Sequence, residues 1–218
     1  MANNTANGSS ILLIYSEYNP KCYALKTAIL VDNMYLQNLK DEYCVGTLDP
    51  RLYPAHLLRP GENHFMTYIF DAEPYVPKEG ATDIHFEQRR RKREYFEAIQ
   101  MLERVKVELG YVVPRPGRCP QCGEMFTVPV QKQVDVKISV RLMSLAWERA
   151  AEKIVLLCGD GDVLPAVRAV EPTGTIVRLA YGQVGRVRAS RALIRECPEK
   201  MELTRENLER MMLKPREV

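Results

Sequence analysis

Several things are scarce in this sequence. Its 218 residues hold three histidines (His56, His64 and His85), and none of them stands in a ligand spacing, so they are read as structural. Of six cysteines only Cys119 and Cys122 form a close pair, which is no disulfide framework for a chain of this size. The thiols are read as reduced. No apolar run approaches the length needed to span a bilayer, and the first ten residues, Met1 to Ser10, lack the basic start of a signal peptide. The expected location is therefore the cytoplasm, with no membrane partner. Net charge is also small, +3 at pH 7, so any argument for a polyanionic partner must come from the distribution of charge rather than its total.

With 46% hydrophobic and 27% charged residues, the composition is that of an ordinary globular protein, and the length suits one sizeable core. The chain reads as a polar tail to about Ser10, an apolar edge segment Ile11–Tyr15, and then strands alternating with helices. Strands are expected at Thr27–Asp32, His64–Phe70, Val105–Val113, the apolar run from Ile154 through Cys158, and Thr175–Ala180. Helices are expected at Met34–Leu39, Asp83–Arg104, Asp135–Ala150, Asp162–Val170 and Val187–Arg195, with a last one capped by Thr204. Pro50, Pro54 and Pro60 mark residues 41–61 as an irregular loop, and residues 114–129 as an excursion. The helix beginning at Asp135 is apolar around most of its girth, which predicts packing inside the core. Such alternation implies a mainly parallel sheet covered on both faces, a three-layer α/β/α sandwich.

The organising stretch is Ile154-Val155-Leu156-Leu157-Cys158-Gly159-Asp160-Gly161-Asp162, an apolar strand that ends in two carboxylates. Thr27–Asp32 repeats the pattern, delivering Asp32 to the end of another buried strand. Ligands of open parallel sheets bind beyond the carboxyl ends of the strands. Carboxylates gathered there raise one another's pKa unless a cation neutralises them, and oxygen-only ligands select Mg²⁺ or Mn²⁺. A plainer reading makes Asp162 and Asp135 helix caps.

Val31-Asp32-Asn33-Met34, the run from Gln131 to Lys137 around Asp135, and Cys158-Gly159-Asp160-Gly161-Asp162 followed by Pro165 resemble, in order, the motifs of NYN domains. These form the LabA-like branch of the PIN-like nuclease superfamily. The resemblance runs from about Ala28 to Tyr181 and includes the Cys-Pro-x-Cys-Gly insertion of some members. It implies metal-dependent RNA cleavage, with Asp32, Asp160 and Asp162 as metal ligands and Asp135 as a further catalytic acid. On this reading residues 1–26 are an N-terminal extension, 27–203 the NYN/PIN-like domain with an insertion at 114–130, and 204–218 a C-terminal helix. Tyr35 and Arg141 depart from the family, which commonly carries Asn and Asp at those positions. Arg141 either pairs with Asp32 or Asp160 at the cost of the metal, or holds a phosphate. The alternative function is a catalytically impaired module that binds RNA or protein.

RNA contacts are expected from Asn33, Lys137, Arg141, Arg188, Arg191 and Arg195, the last three sharing one side of a helix with support from Arg178 and Arg186. Arg89-Arg90-Arg91-Lys92-Arg93 splays around more than one helical turn and reads as a solvated face. Cys119 and Cys122 are half a zinc site, completed elsewhere, for example by a second copy in a homodimer, or else a metal-free turn. A haloacid-dehalogenase-like phosphatase ranks low, because Met34 stands where its second Asp would be.

Overall fold

The computed structural model describes residues 24–78 and 80–213, so the Ile11–Tyr15 segment and Cys22 lie outside the described residues. The chain runs β1 (Leu25–Asp32), α1 (Asn33–Glu42), α2 (Tyr53–Leu57), β2 (Glu62–Ala72), α3 (Asp83–Gln100), β3 (Val105–Arg118), β4 (Met125–Lys132) and α4 (Val134–Trp147). It continues through β5 (Lys153–Leu157), α5 (Leu164–Val170), β6 (Ile176–Tyr181), β7 (Gln183–Val184), β8 (Val187–Arg188), α6 (Arg191–Glu196), β9 (Glu199–Glu202) and α7 (Arg205–Arg210). Seven strands form one sheet in the order β4-β3-β2-β1-β5-β6-β9, parallel throughout except for β3 against β4. The α/β sandwich expected from the sequence is the observed architecture.

Strands β1 and β5 are fully apolar in mid-run because both of their faces are covered. Ala28 and Leu30 join Ile154 and Leu156 on one face, beneath Ile138 and Leu142 of α4, Val167 of α5 and Leu193 of α6. Ile29, Val31, Val155 and Leu157 lie on the other, against Leu36 of α1, Leu57 of α2, Ile99 of α3 and Leu208 of α7. The chain lays β2 and β3 to one side of β1, then crosses to place β5 on the other. Strand order thus reverses between β1 and β5, and a crevice opens where the loops after these strands part in opposite directions.

Several elements differ from expectation. The 41–61 loop contains a 3-10 turn (Pro50–Leu52) and α2, with Pro50 first in the turn and Pro54 second in the helix, where a missing N–H costs nothing. Helix α3 stops at Gln100 because the chain turns through a left-handed Arg104 (φ 58°) to enter β3. The excursion at 114–129 is a continuation of β3, paired antiparallel with β4 from Tyr111↔Lys132 to Arg118↔Met125 as a ribbon beyond the parallel sheet. Helix α4 buries one side only; Val136, Val140 and Trp147 are exposed. Val187 and Arg188 belong to a small hairpin with β7, and the helix begins at Arg191. Strand β9, Glu-Lys-Met-Glu, was not anticipated.

At the opposite end of the sheet from the crevice, Arg178 on β6 is wholly buried. It meets Glu62 at the start of β2 and, at 2.8 Å, Glu199 at the start of β9, and donates to the Leu57 carbonyl. Lys153 at the start of β5 is 2.8 Å from Glu62. This placement removes Arg178 from any RNA surface. Burial alone would raise the Glu62 carboxyl, but hydrogen bonds from Arg178 and Lys153 overcome it and pull it from 4.5 to about 2. Arg178→Met, which leaves two carboxylates to share Lys153 alone, is expected to cost about 3–5 kcal/mol in urea unfolding. Because the folded-state pKa of Glu62 is depressed, its contribution is complete above about pH 4.5 and fades as pH falls toward 2. The variant is expected to show a shallower loss of stability across that window than the wild type.

Candidate active site

The loops after β1 and β5 enclose a pocket of about 440 Å³ at the point where strand order reverses. Asp32, Asp135 and Asp160 line it, with Tyr35 and Gly159 in its wall and Arg186 and Arg188 at its rim. Each acid arrives there for a local reason. Asp32 ends β1 and caps α1, its Oδ1 accepting the Tyr35 N–H at 3.1 Å. Asp160 follows β5 and caps the short 3-10 turn Gly161–Val163, its Oδ1 accepting from the Asp162 N–H at 2.9 Å. Asp135 stands in the first turn of α4, where the helix dipole favours an acid. The cap of α4 is Gln133, in a left-handed conformation (φ 69°), so capping does not occupy the Asp135 side chain.

Burial pushes Asp32 from 3.8 to about 6, assisted by the negative charges of Asp135 and Asp71. Burial likewise raises Asp135, with Asp160 and Asp162 adding to the effect. Cys158, buried beside Asp32 with its Sγ 3.9 Å from Oδ2, is raised well above the usual thiol range by burial and by the Asp32 charge. The donors are therefore all oxygens and mutually repelling, and they face open space, which suits a hard divalent cation. Among the described residues no three His, Cys, Asp or Glu side chains close together into a ready-made cage, so the acids line the pocket rather than complete a coordination shell.

The model of the NYN domain family matches residues 100–204. Over those residues the chain is similar to the NYN domain family. The matched residues include Asp135, Asp160 and Asp162, while Asp32 comes from β1, ahead of the match, and is brought to the same pocket by the sheet. Among solved structures, a protein of unknown function from Vibrio parahaemolyticus is similar over 86% of this chain and 97% of its own, with a TM-score of 0.55 and 16% identity, a likeness of fold. No curated protein matches.

The acid pocket collects some of the expected residues and not others. Asp162 is exposed and outside the pocket lining, near enough to act on Asp135 by charge. Asn33 is buried and faces inward, donating to Asp71 and accepting from Gln37 at 3.4 Å, so it positions neighbours instead of meeting RNA. Arg141 does not reach the acids. It pairs with Glu108 on β3 at 2.6 Å and lies 4.8 Å from the Tyr68 ring centre, neutralised at the side of α4. Lys137 is half-buried and outside the pocket lining. Arg188 lies on the β7–β8 hairpin, while Arg191 and Arg195 are exposed on α6, so the three share no helix face.

Tyr35 fills the space that a side chain on Gly159 would need. Its hydroxyl donates to the Gly182 carbonyl and accepts the Gly182 N–H, both at 3.1 Å, and burial raises it to about 12. Cys119 and Cys122 sit in the turn joining β3 to β4, held by Cys119 N–H to the Glu124 carbonyl (2.8 Å) and Gly123 N–H to the Cys119 carbonyl (2.9 Å). Backbone N–H groups of Cys122 and Gln121 lower the Cys119 thiol. Among the described residues no third metal-binding side chain joins the pair.

Asp71 was missed as a site residue. It ends β2 as Asp32 ends β1, and that shared pattern was the available signal. It is buried, receives Asn33 and the Ala72 N–H (2.6 Å), and pairs with Lys92 of α3 at 2.7 Å. Lys92 is thus the one member of the basic run directed inward, while Arg89 and Arg93 pair with Glu73, and Arg90 and Arg91 with Glu87.

Ionised Asp32 strains the fold. A carboxyl whose folded pKa is raised gives up stability as pH climbs from about 4 through about 6. Asp32→Asn keeps the acceptor for Tyr35 and removes the charge. Urea unfolding in EDTA is expected to show it more stable than wild type by up to about 3 kcal/mol at pH 8 and indistinguishable near pH 4.

Proposed function

We propose that this protein is a metal-dependent ribonuclease. The observation that carries the reading is the convergence of Asp32, Asp135 and Asp160 on one open pocket at the sheet's switch point, beneath two exposed arginines. Asp32, Asp135 and Asp160 would hold Mg²⁺ or Mn²⁺, which when bound supplies a Lewis acid for phosphoryl oxygens and a water of lowered pKa. Arg186 and Arg188 would take up the phosphates on either side of the scissile bond, since they stand at the rim and form no ion pair among the described residues. The β1 loop holds Asp32 in place through the Tyr35 N–H, and Tyr35 excludes water from that wall. Asp162 would tune the site through Asp135 rather than bind directly.

Incubation of the purified chain with end-labelled single-stranded RNA, in Mn²⁺ or in EDTA, tests the reading. Cleavage is expected in Mn²⁺ only, and Asp160→Asn is expected to lower it about 10²-fold or more, the equivalent of several kcal/mol of transition-state stabilisation. Cleavage undiminished in Asp160→Asn would overturn it. Metal-independent binding with no cleavage of any RNA would instead favour the impaired, RNA-binding module.

A further inference from the structure

A second cavity, of about 740 Å³, adjoins the acid pocket and shares Met34, Val130 and Gln131 with it as a common wall. Its size falls within the range of about 300–1,000 Å³ typical of small-ligand sites. Two kinds of group face it. Tyr75 and His85 offer flat rings and Met34 a polarizable thioether, while Gln37, Gln88 and Gln131 offer amides. Gln37 and Gln131 each spend one N–H inward, on Asn33 and on Asp71, both at 3.4 Å, leaving the rest of each amide for a ligand.

Charge separates this cavity from its neighbour. Here Lys92 is bound to Asp71, and Glu73 is bound to both Arg89 and Arg93, so each charged side chain named here already has a partner. The acid pocket instead has three carboxylates below and two exposed arginines above. Phosphate and metal are thereby drawn to the first pocket. The second is matched to something flat, uncharged and edged with donors and acceptors, and a nucleobase has all three properties.

We propose that this cavity receives the base of a nucleotide flanking the scissile phosphate, in single-stranded RNA, with Tyr75 and Met34 as stacking surfaces and Gln88 and Gln131 contacting the base edge. The proposal rests on the ribonuclease reading. An unpaired strand is required because a base held in a duplex cannot leave its stack to enter a cavity walled on both sides. The ribbon of β3 and β4, which contributes Val112, Thr127, Pro129 and Val130, forms one of those walls and thereby acquires a role in holding substrate.

The test is fluorescence anisotropy of labelled RNA oligomers on Asp160→Asn protein, which prevents turnover. Tyr75→Ala is expected to weaken binding about 5- to 100-fold, as loss of a stacked base does, and Tyr75→Phe to retain it. One abasic position in the RNA is expected to weaken binding comparably when Tyr75 is present and to have no further effect on Tyr75→Ala. Arg186→Ala is expected to weaken intact and abasic RNA equally. Tight RNA binding that is indifferent to Tyr75→Ala, Gln88→Ala and an abasic site at every position would overturn the subsite and leave the ribonuclease reading standing. Failure of the parent protein to bind any RNA would remove both.

Discussion

Like charges crowded at one end of a parallel sheet are the constraint around which this molecule is arranged. Strands β1, β2 and β5 run in the same direction, so their carboxyl ends, and the acids that follow them, are brought together whether or not their charges tolerate it. Each acid meets that difficulty differently. Asp71 is neutralised by Lys92 and held by Asn33. Asp160 remains exposed to water and caps a turn. Asp32, buried with the Tyr35 N–H and the Cys158 thiol to donate to it, keeps the conflict, and burial pushes it up to about 6. A site whose charge is unbalanced without a counter-ion stores some of the folding free energy as an affinity for one.

The other end of the sheet shows what the same residue types do when they are paired. Glu62, Glu199, Lys153 and Arg178 stand near strand starts and meet in one cluster in which each cation contacts both carboxylates, and no buried polar side-chain atom is without a partner among the described residues. Their attraction is spent on joining β2, β5, β6 and β9. One sheet thus carries a balanced charge cluster that fastens it and an unbalanced one available for chemistry, separated by the length of its strands.

The legible elements were those in which both faces of a segment are buried. Thr27–Asp32 and Ile154–Leu157 announce themselves by unbroken apolar runs, and the acids after them by contrast. Strand β9 could not be read this way, because its two glutamates and lysine point outward or into the ion cluster, and a polar edge strand looks like a loop. Val187 and Arg188 extend the periodicity of the helix after them, and only pairing with Gln183 and Val184 excludes them from it. The prolines of the ribbon hid the continuation of β3 beyond Val113 and all of β4, since Pro114↔Pro129 pair at a position that spacing alone would call a break. Arg141 was read as a cation of the acid site and Arg178 as one of an RNA-facing group because their partners, Glu108 and Glu62, lie 33 and 116 residues away in the chain.

Tyr35 shows how a departure from a family pattern can alter a site without abolishing it. Asn at that position would leave room between the loops after β1 and β5. The tyrosine ring occupies that room against a glycine, and its hydroxyl ties the β1 side to Gly182 beyond β6. The acid pocket is therefore walled toward β6. Its open directions are upward, past Arg186 and Arg188, and sideways over Met34 toward the ribbon. On the ribonuclease reading, a polyanionic strand entering between the arginines would cross the acids and reach the adjoining cavity, where the charged side chains are already paired. Closure on one side by Tyr35 and neutrality on the other thus act together to give the site a direction.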